Sequence, residues 1–481
     1  MIVGFLFIAI LLLYSLIGTF DENTLYYVLT IFLLIYAVFE IAYALGSDMK
    51  SPLLLPPVIS SIVIFIISYV LYNFSLLTAT SESAFDVLGE SAMHYLNLAV
   101  LYSIVALYAL WRGFYSPIAV RLSNGLSESP LISGLLRRRF EPRWIFIVAF
   151  IVISFLARIF QVSLGVFGYS SDYDQLLGHA AYKQYLDICV SLGRFALIGV
   201  ALSFFSKPYD FKAHVTLIGI AIYEILFGFL LGFKGQTIMP IIIVGVCYYI
   251  CKQKLPKSQI IIAVLVLHVA YAVIEPFRIL RYAESQFDSK SIHSIVSTMS
   301  EARKYQGAYE APEDKTGFME KILARSSLTA YSARCVQHMT EEGLGPEAPH
   351  FLSELLWSPV CAVVPRLIWP TKPVSQLGLW FNREVLGANA DNFTATGMGP
   401  VGYLYYAGGV WAIIIVFFLI GLLQRLIYST FLVNGAAGGC IVFLGCLYGV
   451  AVIDSSAETV FTTTIRFLPL LIMGQTFLFK E

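Results

Sequence analysis

Apolar runs long enough to cross a lipid bilayer recur from one end of this 481-residue chain to the other, and nothing else in the sequence limits its fold as tightly. A hydrocarbon core about 30 Å thick takes roughly 20 helical residues per crossing. Inside it every backbone amide must be paired within the protein, so only helices and closed barrels can span. Barrel strands alternate apolar and polar residues, and stretches such as "IFIVAFIVISFLARIF" (145–160) do not. With 58% hydrophobic and only 13% charged residues, the composition lies outside the range of soluble domains. The sequence therefore predicts an all-α polytopic integral membrane protein.

About twelve spans are expected at that length per crossing. They fall near 1–20, 24–45, 53–73, 95–111, 143–163, 186–205, 213–231, 237–251, 259–276, 400–424, 437–453 and 459–479. The first has no basic start and no small-residue cleavage site, so it is expected to be a retained helix, not a signal peptide.

Lysines and arginines of short loops orient a membrane protein. One alternate set of connections carries Lys50, Arg112, Arg121, Arg137, Arg138, Arg139, Arg143, Lys207, Lys212, Lys252, Lys254, Lys257, Arg425 and Lys480. The short loops of the other set carry only Lys183 and Lys234. This asymmetry predicts that both termini are cytoplasmic and that residues 277–399 form one large extracytoplasmic loop. The chain thus divides into helices one to nine (1–276), the loop (277–399) and helices ten to twelve (400–481).

So long a connection is expected to be folded or functional. Its periodicity predicts helices near 291–306 and 317–339, the second with Phe318, Ile322, Leu323 and Leu328 close to one face. Residues 355–369, "LLWSPVCAVVPRLIW", are apolar, contain Pro359 and Pro365, and are too short to cross. They predict a segment lying in the outer interface or dipping in and returning.

Charges inside spans are costly, about 2.5–3.5 kcal/mol for a mid-helix arginine on insertion scales. Arg158, Arg194, Lys234, Arg278, Arg281 and Arg466 nevertheless all fall near the predicted outer ends of spans or directly after one. Any one alone reads as a snorkelling side chain. Together, with Arg366 and Lys372 of "VPRLIWPTKP" (364–373), they predict a cavity for a phosphate or pyrophosphate, whose oxygens a guanidinium can hold in bidentate fashion. Candidate proton acceptors on the same side are His338, Asp454, Glu458 and Glu275. Glu224 and Glu40, inside spans, read as structural partners of buried polar groups.

Several classes are disfavoured. The formal net charge of zero gives no electrostatic case for nucleic acid. The seven cysteines show no metal-ligand spacing, and no metal or cofactor is expected. No pair of interrupted spans in matching halves marks an inverted-repeat transporter.

"VPRLIWPTKP", followed by "TGMGPVGYLYYAGGVWAIIIVFFLIGLLQRLI" (396–427), resembles the bacterial Wzy-type O-antigen and oligosaccharide repeat-unit polymerases, as does "LLGFKGQTIMP" (230–240). The likeness is residue by residue only over 230–240 and 355–425. Residues 164–185 hold only Lys183 and His179 as basic side chains, a departure from the family's two basic external loops. The resemblance implies a glycosyltransferase of the bacterial inner membrane that polymerises undecaprenyl-pyrophosphate-linked oligosaccharide on its outer face, with a chain-length regulator and a flippase as partners. Arg194, Lys234, Arg278, Arg281, Arg366, Lys372 and Arg466 are then the pyrophosphate ligands. A flippase or other transporter, and a glycan ligase, are the alternative readings.

Overall fold

In a computed structural model the described residues are 21–48, 56–71, 73, 92–137, 141–170, 178–207, 210–283, 290–302, 327–345, 348–364, 368–369, 372, 377–388, 396–433, 439–451 and 457–480. They form helices α1 (Glu22–Asp48), α2 (Pro57–Ile66), α3 (Ala92–Phe114), α4 (Pro117–Glu128), α5 (Pro130–Leu136), α6 (Trp144–Ser163), α7 (Ala180–Ser206), α8 (Phe211–Leu230) and α9 (Lys234–Lys252). There follow α10 (Lys257–Ala283), α11 (Ile292–Ala302), α12 (Thr329–Glu341), α13 (Phe351–Val363), α14 (Leu377–Trp380), α15 (Gly399–Ile427), α16 (Cys440–Ala451) and α17 (Ala457–Leu478). The described residues contain no strand, only one isolated bridge between Pro142 and Phe479.

Nine of these helices are long and apolar enough to cross a membrane, and each falls on one of the twelve expected spans. The other three differ for separate reasons. Residues 1–20 lie outside the described residues. Of the expected span at 53–73 the described residues show a helix over Pro57–Leu71, whose last turn is a π-helix. Of the expected span at 437–453 the described residues show α16, over Cys440–Ala451, and residues 452 and 453 lie outside them.

The core forms where helices approach without intervening side chains. A Cβ added to Gly113 of α3 would strike the Phe418 carbonyl of α15, and one added to Gly421 would strike the Leu110 carbonyl of α3. Backbone contact of this kind is how helices gain packing energy in lipid, where hydrophobicity does not drive them together. Phe65 packs edge-on against Phe417, and Gln424 donates to Ser61 Oγ at 2.7 Å, tying α2 to the same seam. Within α15, Gly409 (φ 63°, ψ −150°) breaks the helix, a conformation open to glycine.

Connections of three or four residues join α7 through α10, which alternate in direction, and α6 runs opposite to α7, with Ser154 bonded to the Val190 carbonyl and Gln161 to Asp187. The C-terminal ends of α6, α8 and α10 therefore share one side of the bundle with the N-terminal ends of α7 and α9. The C-terminal end of α17 is fastened beside the start of α6: Arg143 N donates to Leu478 O at 2.8 Å and Lys480 N to Glu141 O at 3.0 Å. The N-terminal end of α17 thus stands on the same side as the C-terminal end of α6.

From the expected loop, α11 realises the helix predicted near 291–306, and α12 the second half of the helix predicted at 317–339. Phe318, Ile322 and Leu323 lie outside the described residues, and Leu328 is buried at the start of α12. The proline-containing segment is more regular than its sequence suggests, since α13 runs straight through Pro359. Pro359 cannot donate to the Leu355 carbonyl, and the Ser358 hydroxyl donates there instead, at 2.9 Å.

Candidate functional site

A groove of about 200 Å³ lies between α13 and α17. From α13 it takes Glu354, Trp357, Ser358 and Cys361, one helical face read at intervals of three and four. From α17 it takes Glu458, Thr459, Thr462 and Arg466, and Lys372 reaches in from beyond the C-terminal end of α13. Three expected site residues, Lys372, Arg466 and Glu458, are thus brought together.

The groove is polarised. The Tyr403 hydroxyl of α15 donates to the Phe351 carbonyl at the start of α13, 3.3 Å away, within electrostatic reach of Glu354 and of Glu458 at the start of α17. The two helices therefore run parallel, with both carboxylates, Glu354 and Glu458, in their first turns. At the other end the buried Lys372 ammonium donates to the Cys361 carbonyl and, at 3.2 Å, to the Val364 carbonyl, capping orphan acceptors of the α13 terminus. Arg466 stands eight residues, about 12 Å along the helix, from Glu458. Negative charge therefore occupies one end of the groove and positive charge the other. Leu356, Trp357, Val360 and Val363 make the adjoining outer face of α13 apolar and exposed.

A second polar site lies among α6, α7, α8 and α9. Arg158 Nη2 donates to Glu224 Oε2 at 2.7 Å, and both side chains are almost fully buried. The Arg158 guanidinium lies over the rings of Tyr223 and Phe227, at 4.6 and 4.8 Å. Arg194 approaches the same carboxylate, Nε 3.9 Å from Oε2, and donates through Nη2 to Gln236 in the first turn of α9. Glycine is needed at position 193, where a Cβ would lie 2.5 Å from Glu224 Oε1 and 2.6 Å from Ser154 Oγ. The sequence reading of Glu224 as a structural partner holds, and that partner is Arg158.

Arg278 and Lys234 occupy a third place. Arg278 Nη2 and Nε donate to the Gly232 carbonyl at 2.7 and 3.0 Å, and its guanidinium lies 4.4 Å from the Tyr169 ring. Lys234 Nζ lies 3.5 Å from the Tyr271 ring. Both therefore brace the α8–α9 turn. Asp187, which accepts from Gln161 at 2.8 Å and from Lys183, also acts electrostatically on Arg466, so α7 connects the second site to the groove.

His338 is packed elsewhere. Its ring meets Trp380 and Tyr406 edge-on, at 6.0 and 5.9 Å, and Nε2 is 3.8 Å from Glu342 Oε2. Burial lowers its pKa, against the opposing Glu342 carboxylate and with the help of Arg334, which favours a neutral imidazole. Arg366 and Asp454 lie outside the described residues, as do the side chains of Glu275 and Arg281, which are part of α10.

Sequence reasoning missed Glu354 and counted Arg158 among the cations of the expected cavity without naming it as a ligand. The available signals were an acid in the first turn of an apolar helix, followed by Ser358 four positions on, and a carboxylate, Glu224, in the C-terminal third of a neighbouring span.

A family described as a domain of unknown function (DUF8712) matches residues 153–477, which include the groove, the Arg158–Glu224 pair and α10 to α13. No curated protein and no solved structure matches the chain.

Proposed function

We propose, for a chain that belongs to the DUF8712 family, the activity of a glycan polymerase that joins polyprenyl-pyrophosphate-linked oligosaccharide units by inverting glycosyl transfer. Its place is the outer face of a bacterial inner membrane, with both termini cytoplasmic. The observation that carries this reading is the groove, where Lys372 and Arg466 stand at one end and two carboxylates at the other, beside an exposed apolar face.

A polyprenyl pyrophosphate is an anion on a hydrocarbon tail. The pyrophosphate suits the cation end, where a guanidinium and an ammonium meet oxygens that gain charge as the glycosidic bond breaks. The tail suits the face of Leu356, Trp357, Val360 and Val363. In the transfer an acceptor hydroxyl oxygen bonds to C1 of the donor sugar on the face opposite the pyrophosphate. The C1–oxygen bond breaks with its electron pair on the leaving oxygen, and the hydroxyl proton passes to a base.

Deletion of the gene, followed by electrophoresis of surface glycans, tests the activity. Loss of the long-chain ladder with a single repeat unit retained is the expected result. Loss of every repeat unit would indicate a flippase, retention of the ladder on free lipid a ligase, and an unchanged pattern would sink the reading. Arg466→Ala at wild-type membrane abundance should reproduce the deletion, and wild-type chain lengths in that variant would remove the anion site.

A further inference from the structure

We propose that α13 is a re-entrant half-helix: it enters the bilayer beside the start of α17, ends near the midplane, and lays Leu352, Leu356, Val360 and Val363 against the acyl chains of the leaflet it enters. The inference goes beyond the proposed transfer and holds whatever the groove carries.

Depth follows from the neighbours of α13. The Phe351 ring lies 5.8 Å from the Tyr403 ring and stacks on Tyr406 at 4.9 Å, and the Phe351 carbonyl accepts from the Tyr403 hydroxyl at 3.3 Å. Tyr403 and Tyr406 belong to the first turns of α15, a helix long and apolar enough to cross a membrane. The first turn of α13 is therefore level with the start of a span. From there α13 packs along α17, and the two line the groove together as far as Ala362 on one and Arg466 on the other. Its 13 residues, at ~1.5 Å each, carry it roughly 20 Å along a spanning helix, against about 15 Å for half the hydrocarbon core. Leu352, Leu356, Val360 and Val363 are all exposed and follow one another at helical spacings of four, four and three, so they form one face. At this depth the medium around a protein is acyl chain.

The backbone of α13 is finished as lipid requires. In the hydrocarbon core no water meets a carbonyl that the helix itself leaves bare, and nearby side chains must do so. Pro359 frees the Leu355 carbonyl, and the Ser358 hydroxyl donates to it at 2.9 Å. The last carbonyls of a helix lack partners within it. Here the Lys372 ammonium, on a side chain only 7% exposed, reaches back to those of Cys361 and Val364. In water the solvent would fill both positions, and burying a lysine there would cost desolvation without gain; in lipid the cost is offset by carbonyls that would otherwise stay bare. Between Val364 and Lys372 the chain turns back, and Ile368 in that turn is 75% exposed, an apolar side chain at the deep end of the segment. Trp357 both lines the groove and is exposed, so the same leaflet borders the rim of the groove.

The test uses the full-length protein in phosphatidylcholine vesicles, with p-benzoylphenylalanine in place of Leu356 or of Val363. The reference is the same photoreactive side chain in place of Ile153, exposed halfway along α6. Irradiation should raise the intact mass by that of a phospholipid at all three positions, in comparable yield. An adduct at Ile153 alone would place the face in water and overturn the proposal. An adduct at Leu356 without one at Val363 would lay α13 flat in the interface and overturn the descent. A cross-linked dimer in place of the lipid adduct would assign the face to a second copy of the chain, which also overturns it. Should neither substituted protein elute as a folded species, Trp357→Phe decides. The fluorescence it removes, taken by difference from wild type, should be quenched by phosphatidylcholine brominated in its acyl chains, and a Trp357 signal untouched by that lipid overturns the proposal.

Discussion

Glu224→Gln isolates one charge in the most deeply buried ion pair among the described residues, and its cost follows from what remains around Arg158. The pair is 1% and 2% exposed, so neither side chain can turn to water. Arg194, 26% exposed, can reorient, and Arg158 bears the loss. Its remaining support is the two ring faces at 4.6 and 4.8 Å, together about 2 kcal/mol when desolvated. Arg158 Nε and Nη1 already make no hydrogen bond. Against that stands a desolvation penalty of several kcal/mol, and removal of one partner from a buried pair costs about 3–5 kcal/mol. A loss of roughly 3 kcal/mol, more than a hundredfold in the folding equilibrium, is expected. Reversible unfolding with sodium dodecyl sulfate in bicelles, read by tryptophan fluorescence, measures it. Arg158→Met alone should cost a similar amount, and the double variant should fall short of the summed losses by about 2 kcal/mol or more. Additive losses, or a Glu224→Gln variant within about 1 kcal/mol of wild type, would refute the reasoning.

Two further outcomes are expected in the same unfolding assay. Gly421→Val places a branched side chain against the Leu110 carbonyl and should cost about 1–3 kcal/mol, whereas Gly125→Val, at a position where an added Cβ meets nothing within 4 Å, should cost far less; equal losses would refute backbone contact between α3 and α15. Burial lowers the His338 pKa below its ordinary 6.5, so the unfolded chain binds a proton in a range where the folded protein does not. The stability this confers is present above about pH 6.5 and is lost as pH falls through that value toward the folded one. The stability difference between wild type and His338→Asn should therefore shrink on acidification, and a pH-independent difference would refute the burial argument.

Hydropathy located the nine long helices to within a few residues at most ends because each is apolar on nearly every face and bounded by charge or proline. Of the expected spans at 53–73 and 437–453 the described residues include only parts, Pro57–Leu71 and Cys440–Ala451, both helical. Depth along spans was also legible in part: Lys234 and Arg278 stand at connected ends of α9 and α10, Arg158 in the last third of α6, and Arg194, midway along α7, still meets Gln236 in the first turn of α9. Their grouping was not, because which cation meets which partner depends on helix rotation and neighbour choice. Arg278 faces the Gly232 carbonyl and Arg194 faces Glu224 although both lie near the same side. Glu354 escaped notice for the same reason, since only the packing of α13 against α17 places it across from Arg466.

The parallel course of α13 and α17 explains how a charge-separated groove persists without collapsing into ion pairs. Both carboxylates stand in first turns, where the helix dipole favours negative charge. Lys372 stands at the C-terminal end of α13, where the dipole and the Cys361 and Val364 carbonyls favour positive charge. Each end is therefore stabilised by its own backbone, and about 12 Å separates Glu458 from Arg466 along α17. An anion binding at the cation end must take Lys372 from carbonyls it already holds. The ammonium is charged in either contact, but a carbonyl offers it a partial charge and a pyrophosphate a full one, so the Coulomb term of the exchange favours the anion. The same exchange discriminates by charge: a neutral glycan entering the groove gives Lys372 nothing better than the carbonyls of α13, and only an anionic headgroup recruits it.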